Sequence, residues 1–200
     1  MFLTWVGAIV DTAVSMLNPL SVLCGAGFYY YGKVFIPSIE RRTPTVQFED
    51  PILSRFKPVD CTIANVVLFN TSAVCIVLET MLNGTFKYAL YTHALSMLIR
   101  MMSLYLLPLH EPAHSIPLRD PIIDWFTGTQ AKPLMKDLFI SGHTLFVWVN
   151  LFWTQEIIMH SMFAVLIPML LLLQHVHYTV DVVMAPFVAF MCSSLVKALM

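Results

Sequence analysis

Long apolar stretches, separated by a few polar segments, limit the fold of this chain more than any other feature. Apolar residues make up 58% of its 200 residues, and charged residues make up only 12%. A water-soluble globular protein carries about 25% charged residues, so this chain has too few to cover a water-exposed surface. The composition therefore predicts a protein embedded in a lipid bilayer. A net charge of −1 gives no indication of nucleic-acid binding.

Turn signals divide the apolar residues into about six membrane spans, since a bilayer core about 30 Å thick needs about 20 apolar residues per helix. Asn18-Pro19 is a typical helix start, because Asn caps a helix and Pro fits its first turn. We expect an interfacial or re-entrant helix at 2–17 and spans at 19–35, 62–82, 86–107, 138–153, 156–174 and 178–197. The predicted fold class is all-α: one polytopic membrane domain over residues 1–200, with 1–18 interfacial and 19–200 a six-span bundle.

Two polar, proline-containing segments, 38–60 and 109–136, cannot cross a bilayer and are predicted loops. In a six-span bundle they follow the first and third spans, and the short turn 174–177 follows the fifth. All three connections therefore belong to the same membrane face. We expect the chemistry of the protein to take place at this face.

The first group of candidate residues is Asp-Leu-Phe-Ile-Ser-Gly-His-Thr at 137–144, which opens the predicted fourth span. Ser141 and Gly142 place His143 in the first turns of a helix. Free backbone N–H groups and the positive end of the helix dipole favour an anion there. Phosphate is the ligand that this position suits.

The second group is His177 and Asp181, four residues apart at the start of the predicted sixth span. On a helix they share a face and can form a hydrogen bond. A carboxylate that holds one ring nitrogen leaves the other as an oriented nucleophile or base.

Arg100 falls within the predicted third span. An arginine at that depth needs an anionic partner, either a phosphate or a carboxylate, and Glu79 is one candidate. His110 and His114 resemble a metal-binding pair, but Pro112 between them argues against a regular helix. We therefore predict no metal site.

Three stretches, 100–108, 137–144 and 177–185, carry a resemblance to a known family. Their order and their His-Tyr-Thr-x-Asp-Val and Ser-Gly-His-Thr patterns resemble the sphingomyelin synthase family, a branch of the type 2 phosphatidic acid phosphatase superfamily. The wider superfamily has an arginine six residues before its second histidine. Leu171 stands at that position here, which favours the synthase-like branch.

The resemblance implies transfer of a phosphocholine- or phosphoethanolamine-type head group from a glycerophospholipid to a lipid alcohol such as ceramide, through a phosphohistidine intermediate. Membrane lipids would be the partners, with no metal or cofactor. The implied catalytic residues are His143, His177 and Asp181. The implied phosphate-binding residues are Arg100, Lys136, Ser141 and Gly142, supported by Asp137 and Tyr178.

Two other functions fit the same residues. A lipid phosphatase or phosphodiesterase would use water as the acceptor, and a non-catalytic lipid-binding protein would use neither histidine chemically. The sequence is also compatible with a homo-oligomer.

Two expectations disagree on which side of the membrane the predicted active face lies. The predicted active face carries more Lys and Arg than the opposite face, which the positive-inside rule assigns to the cytoplasm. The family resemblance implies an exoplasmic or lumenal site. Phosphate binding gives an independent reason for cations on that face, so we expect the exoplasmic or lumenal orientation of a multi-pass membrane protein.

Overall fold

A computed structural model of the chain describes residues 2–128 and 133–200. These ranges contain no β-strand, only an isolated bridge between Val46 and Leu109, so the all-α prediction is confirmed. The α-helices of the described ranges are α1 (Phe2–Ser15), α2 (Pro19–Tyr30), α3 (Ile36–Arg41), α4 (Thr62–Leu82), α5 (Phe86–Leu106), α6 (Pro121–Thr127), α7 (Gly142–Leu151), α8 (Ile157–Leu173) and α9 (Thr179–Ala198).

The predicted helix break at Asn18-Pro19 is confirmed. The Asn18 side chain accepts a hydrogen bond from the backbone N–H of Ser21 at 2.9 Å, and Pro19 occupies the first turn of α2. The chain bends by 80° between α1 and the helix that follows. Because of this bend, α1 and α2 cannot form one straight span.

The helix that begins with α2 continues past its predicted end at Phe35. One π-helical turn, Tyr31–Phe35, joins α2 to α3, so the helical backbone runs on to Arg41. Such turns are rare and frequently occur at functional sites. Gly32 lies in this turn against the ring of Phe126 on α6, and a Cβ atom at Gly32 would overlap that ring.

α7 is the innermost helix of the bundle. It packs against α4, α5, α8 and α9, and its residues Val149 and Asn150 have no exposed surface. α7 begins at Gly142 rather than at 138. The reason is that Phe139 and Ile140 adopt left-handed backbone conformations, which a right-handed helix excludes.

The distribution of polarity is inverted relative to that of a water-soluble protein. Large apolar side chains point outward, such as Ile63 on α4 (81% exposed), Ile158 on α8 (83%) and Phe187 on α9 (60%). Water-soluble proteins rarely expose apolar patches that extend over several helices. Many of the buried side chains are polar, among them Ser72, Thr80, Asn150, His160 and Gln174. The structure is therefore consistent with a membrane protein.

Helix length and composition identify fewer spans than the sequence predicts. α4, with 21 residues, and α9, with 20, are long and apolar enough to cross a bilayer. The bent pair Gly7–Val14 and Pro19–Glu40 is a third candidate if it counts as one span. α7 has 10 residues, which corresponds to about 15 Å against a bilayer core of about 30 Å. The described residues thus show two to three candidate spans and leave the predicted six unconfirmed.

The predicted gathering of three connections at one end of the bundle is confirmed. The backbone N–H of Val59 donates to the carbonyl of Leu173 at 2.8 Å, and that of Ile116 donates to Gln174 at 3.1 Å. Both long loops therefore meet the turn between α8 and α9. The isolated bridge described above joins the two loops to each other.

Glu79, one candidate partner of Arg100 from the sequence, does not pair with it. Its carboxylate accepts hydrogen bonds from the Thr154 hydroxyl at 2.8 Å and from backbone N–H groups at the start of α8, and it contacts the His160 ring at 3.1 Å. Consecutive helices α4 and α5 run in opposite directions. Residues near the C-terminal end of each therefore lie at opposite ends of the bundle.

We expect Glu79→Ala to lower the free energy of unfolding by about 1–3 kcal/mol, because it leaves donors at the start of α8 without their charged acceptor. Unfolding in mixed detergent micelles, followed by circular dichroism, measures this loss. Glu156→Ala removes an exposed carboxylate at the same helix end and serves as the control. Equal losses in the two variants would contradict the role assigned to Glu79.

Candidate active site

The two histidine segments predicted from the sequence meet where α7 and α9 begin. The backbone N–H of Ser141 donates to the carbonyl of Asp181 at 3.1 Å, which joins the two helix starts directly. His143 and His177 line the same cavity, whose volume is about 440 Å³. Arg100, Asp137 and Gly142 also line this cavity, which we call the histidine cavity.

His177 and Asp181 form the predicted pair on one helix face. The Nδ1 atom of His177 lies 3.3 Å from Oδ2 of Asp181, and both residues are buried. Since a carboxylate only accepts hydrogen bonds, Nδ1 is the nitrogen that carries the proton. Oδ2 also accepts from the backbone N–H of Tyr178 at 3.1 Å, which completes a capping box at the start of α9. This arrangement leaves Nε2 of His177 unprotonated in the neutral ring.

His143 lies in the first turn of α7, two residues after the residue that caps this helix. The cap is Ser141, whose buried hydroxyl oxygen accepts hydrogen bonds from the backbone N–H and the hydroxyl of Thr144. The ring of Phe69 packs against the His143 ring with centroids 4.3 Å apart, and Nε2 of His143 is buried with no hydrogen-bond partner among the described residues. Ser141 therefore orients α7, whereas its predicted contact with phosphate stays a prediction.

Arg100 projects from α5 into the histidine cavity and is almost fully buried. Its Nε–H donates to the carbonyl of Ile140 at 2.8 Å, and a terminal nitrogen lies 2.5 Å from a carboxylate oxygen of Asp137. The guanidinium carbon lies 5.6 Å from the centre of the Tyr31 ring. Asp137 is thus the anionic partner that a buried arginine requires.

The loop before α7 has a strained backbone. Phe139 and Ile140 both have positive φ angles, 66° and 67°, although neither is glycine. Such conformations cost about 1–3 kcal/mol each and persist where surrounding contacts hold them. Here the hydroxyl of Ser103 donates to the Phe139 carbonyl at 3.3 Å, and Arg100 holds the Ile140 carbonyl. α5 therefore fixes the loop that delivers His143.

Gly142 allows the guanidinium group to approach the start of α7. A Cβ atom at this position would lie 2.8 Å from the guanidinium carbon of Arg100 and 2.9 Å from one of its terminal nitrogens. Any larger residue at 142 would push Arg100 away from Ile140 and Asp137. The glycine is therefore required by close contact.

Lys136 and Tyr178, both assigned to the site from the sequence, do not line the histidine cavity. The Lys136 ammonium group donates to the carbonyls of Glu40 at 2.8 Å and Arg42 at 2.6 Å, at the C-terminal end of α3. The Tyr178 hydroxyl donates to the carbonyl of His110 at 2.9 Å. Both side chains hold loops in place, so the predicted contact between Lys136 and phosphate gains no support from this geometry.

Two carboxylates that the sequence did not single out line the histidine cavity. Asp120 is buried; one of its oxygens caps α6, and the other accepts from the side-chain amide of Asn70 at 2.8 Å. Asp124 follows one helical turn later, and burial raises the pKa of its carboxyl group. With Asp137, the described lining therefore holds three carboxylates and the guanidinium group of Arg100.

A third histidine, His93 on α5, lines the cavity deeper in the bundle. Its Nε2 atom lies 2.9 Å from the side-chain oxygen of Asn150, and its ring stacks on Phe146 with centroids 4.8 Å apart. His93 lies in an apolar helical stretch, and no local signal in the sequence distinguishes it. Polar groups in the cavity lining therefore extend from the histidine pair as far as His93.

Asp50 ties the first long loop to the start of α9. Its carboxylate accepts hydrogen bonds from the backbone N–H of Thr179 at 2.6 Å and from the Thr179 hydroxyl at 3.1 Å. Burial raises the pKa of Asp50, but the hydrogen bonds that the carboxylate accepts outweigh this effect and hold the pKa below its ordinary value. Thr179 is two residues from His177, so this contact restrains the segment that carries it.

The described residues contain no group of three or more His, Cys, Asp or Glu side chains that could hold a metal ion. Comparison of the chain with protein-family models, with curated proteins and with solved structures found no match. The family assignment therefore rests on the three sequence stretches and is carried forward as a proposal.

We expect Gly142→Ala to displace the Arg100 side chain. In the native protein the Nε–H of Arg100 is buried and hydrogen-bonded, so it exchanges slowly with solvent; in the variant it should exchange faster. NMR of the arginine Nε–H signals, assigned with Arg100→Lys, measures this change. Gly27→Ala is the control, because a Cβ atom at Gly27 meets nothing within 4 Å. Unchanged exchange in Gly142→Ala would contradict the close contact.

Asp50→Asn should destabilise the protein at neutral pH and not at acidic pH. A carboxylate whose folded pKa is lowered contributes stability above its unfolded pKa of about 3.9, and this contribution is lost as the pH falls through the folded value. The melting temperatures of wild type and variant should therefore differ at neutral pH and converge as the pH falls below the folded pKa of Asp50. Glu49→Gln, at an exposed neighbouring position, provides the control. A difference independent of pH would contradict the prediction.

Proposed function

We propose that this protein is a multi-pass membrane enzyme that transfers a phosphate-containing head group from a glycerophospholipid to a lipid alcohol. The observation that carries the proposal is the arrangement of His143, His177 and Arg100 around one cavity, with Asp181 behind His177. This arrangement supplies a nucleophile, a proton donor and a cation for phosphate. It also supports the resemblance to sphingomyelin synthases on which the proposal draws.

In the first step, Nε2 of His177 attacks the phosphorus atom of the donor lipid. A bond forms between this nitrogen and phosphorus, and the bond from phosphorus to the diacylglycerol oxygen breaks. Protonated His143 gives its proton to that oxygen as general acid. Asp181 holds the proton on Nδ1 of His177 and stabilises the charge that develops on the ring.

In the second step, the hydroxyl of the acceptor lipid attacks the phosphohistidine. His143, now neutral, takes the hydroxyl proton, and His177 leaves as a neutral ring. Both histidines thus return to their starting protonation states. Arg100 and the free N–H groups at the start of α7 stabilise charge on the phosphoryl oxygens, an effect worth about 3–4 kcal/mol per donor in comparable sites.

The charges around the histidine cavity favour a zwitterionic head group, which carries both a negative and a positive charge. Asp120, Asp124 and Asp137 outnumber the single described cation, Arg100, in its lining. A bare phosphate dianion would meet net repulsion there. A phosphocholine- or phosphoethanolamine-type group carries an ammonium that the acidic side would attract.

We include six spans in this proposal. α7 is too short to cross a bilayer alone, but it is surrounded by α4, α5, α8 and α9. A segment enclosed by protein need not satisfy the length rule for lipid-exposed helices, because its flanking backbone can form hydrogen bonds within the protein. The proposal places the histidine cavity towards the exoplasmic or lumenal side.

The test incubates purified protein with vesicles of phosphatidylcholine, phosphatidylethanolamine and ceramide and identifies products by mass spectrometry. We expect a new phospholipid together with a matching amount of diacylglycerol. His177→Ala and His143→Ala should each reduce this transfer by about 10²–10⁴-fold or more. His114→Ala, an exposed histidine in the second loop, should retain it.

Release of phosphate or free phosphorylated head group without an exchanged lipid would instead indicate a lipid hydrolase. Equal activity in wild type, His143→Ala and His177→Ala would remove the basis for any reaction at this site. The non-catalytic, lipid-binding alternative would then be favoured.

A further inference from the structure

The histidine cavity has one polar end and a long apolar remainder. Arg100, His143 and His177 lie at the polar end, near the loops. From there the cavity continues along α4 and α5 to Val77, Phe86 and Leu90. An elongated cavity with this division of polarity suits an amphiphile rather than a water-soluble ligand.

The apolar part is deeper than one leaflet of a membrane. Phe86 and Arg100, which both line the cavity, are 14 positions apart on the continuous helix α5. At a rise of about 1.5 Å per residue they are separated by about 21 Å along the helix. Half of a bilayer core measures about 15 Å. The cavity therefore has room for an extended hydrocarbon chain whose polar end lies at Arg100.

Helices α2 and α4 both contribute residues to the lining of the cavity. Among the described helices, α2 packs mainly on α5, and α4 packs on α1, α5, α7 and α8, whereas α2 and α4 make little direct contact. Phe28 on α2 and Phe69 and Val77 on α4 all line the cavity. A chain could pass between these two helices directly from the surrounding lipid.

α6 covers the polar end of this passage. Its residues Ile123 and Phe126 line the cavity, whereas Trp125 does not line it and is exposed. Lys33 of the π turn donates to the backbone carbonyl of Trp125 at 2.6 Å and joins α6 to the helix that begins with α2. An exposed tryptophan beside a lysine is typical of a membrane interface. This places the polar end of the cavity at the depth of lipid head groups.

We infer that the apolar part of the histidine cavity binds one acyl chain of the donor phospholipid, which enters laterally between α2 and α4 beneath α6. The chain extends past His93 to Leu90 and Phe86, so these residues limit the chain length that fits. The second acyl chain stays in the bilayer. The identity of the ligand as a phospholipid donor rests on the proposed function.

Photo-crosslinking tests this inference without requiring turnover. The probe is a phosphatidylcholine with a diazirine at the end of one acyl chain, incorporated into vesicles with wild-type protein or with His177→Ala. We expect peptide mapping to find crosslinks at Val77, Phe86 or Leu90 in both proteins. Crosslinks confined to outward-facing residues such as Leu98 or Phe190 would overturn the inference.

Leu90→Trp should fill the deep end of the cavity. We expect it to abolish deep crosslinks from a long-chain probe and to retain crosslinks from a probe with much shorter chains. Leu98→Trp adds the same side chain to an exposed position of the same helix and should change neither. If Leu90→Trp does not fold, competition by unlabelled lipids of increasing chain length against the wild-type crosslink gives the same information. Competition independent of chain length would overturn the inference.

The two proposals fail in different ways. Deep crosslinks without any head-group transfer would retain the acyl-chain site and remove the proposed reaction. Head-group transfer without deep crosslinks would retain the reaction and remove the acyl-chain site.

Discussion

The contact of Arg100 with the loop before α7 is the interaction on which the site depends. A buried guanidinium group must be paired, and here Asp137 and the carbonyl of Ile140 pair it. The same contacts hold a backbone segment that would be strained by itself. Gly142 lets the guanidinium group lie directly against the start of α7. One cation thus connects α5, the loop and the helix that carries His143.

The surroundings of this contact are those expected of a protein that lies in a lipid bilayer. In a bilayer the outer surface can be apolar, and polar side chains can lie in the interior of the bundle. Those interior polar groups must form hydrogen bonds within the protein. Several interior side chains have such partners: His93 pairs with the side-chain oxygen of Asn150, and His160 pairs with Glu79. In the histidine cavity, Nε2 of His143 is buried without a hydrogen-bond partner among the described residues, and a ligand with a phosphate head group would supply one.

The sequence predicted those parts of the site that are local. The spacing of His177 and Asp181 fixed their contact, because residues four apart share a helix face. Ser141 was found two residues before His143 because a helix start has a recognisable pattern, and its hydroxyl oxygen caps that helix. Lys136 was assigned from its position beside the motif, yet its ammonium group closes the end of α3.

The sequence by itself determined the helical class, most helix boundaries and the face that carries the loops. These follow from apolar runs, caps and prolines, which act within a few residues. Only the tertiary structure decided that Asp137 rather than Glu79 pairs with Arg100, and that Asp50, Asp120 and His93 lie near the site. Such contacts join residues far apart in the chain. They depend on how antiparallel helices are aligned and on which helix the strained loop before α7 contacts. Local patterns contain no information on either.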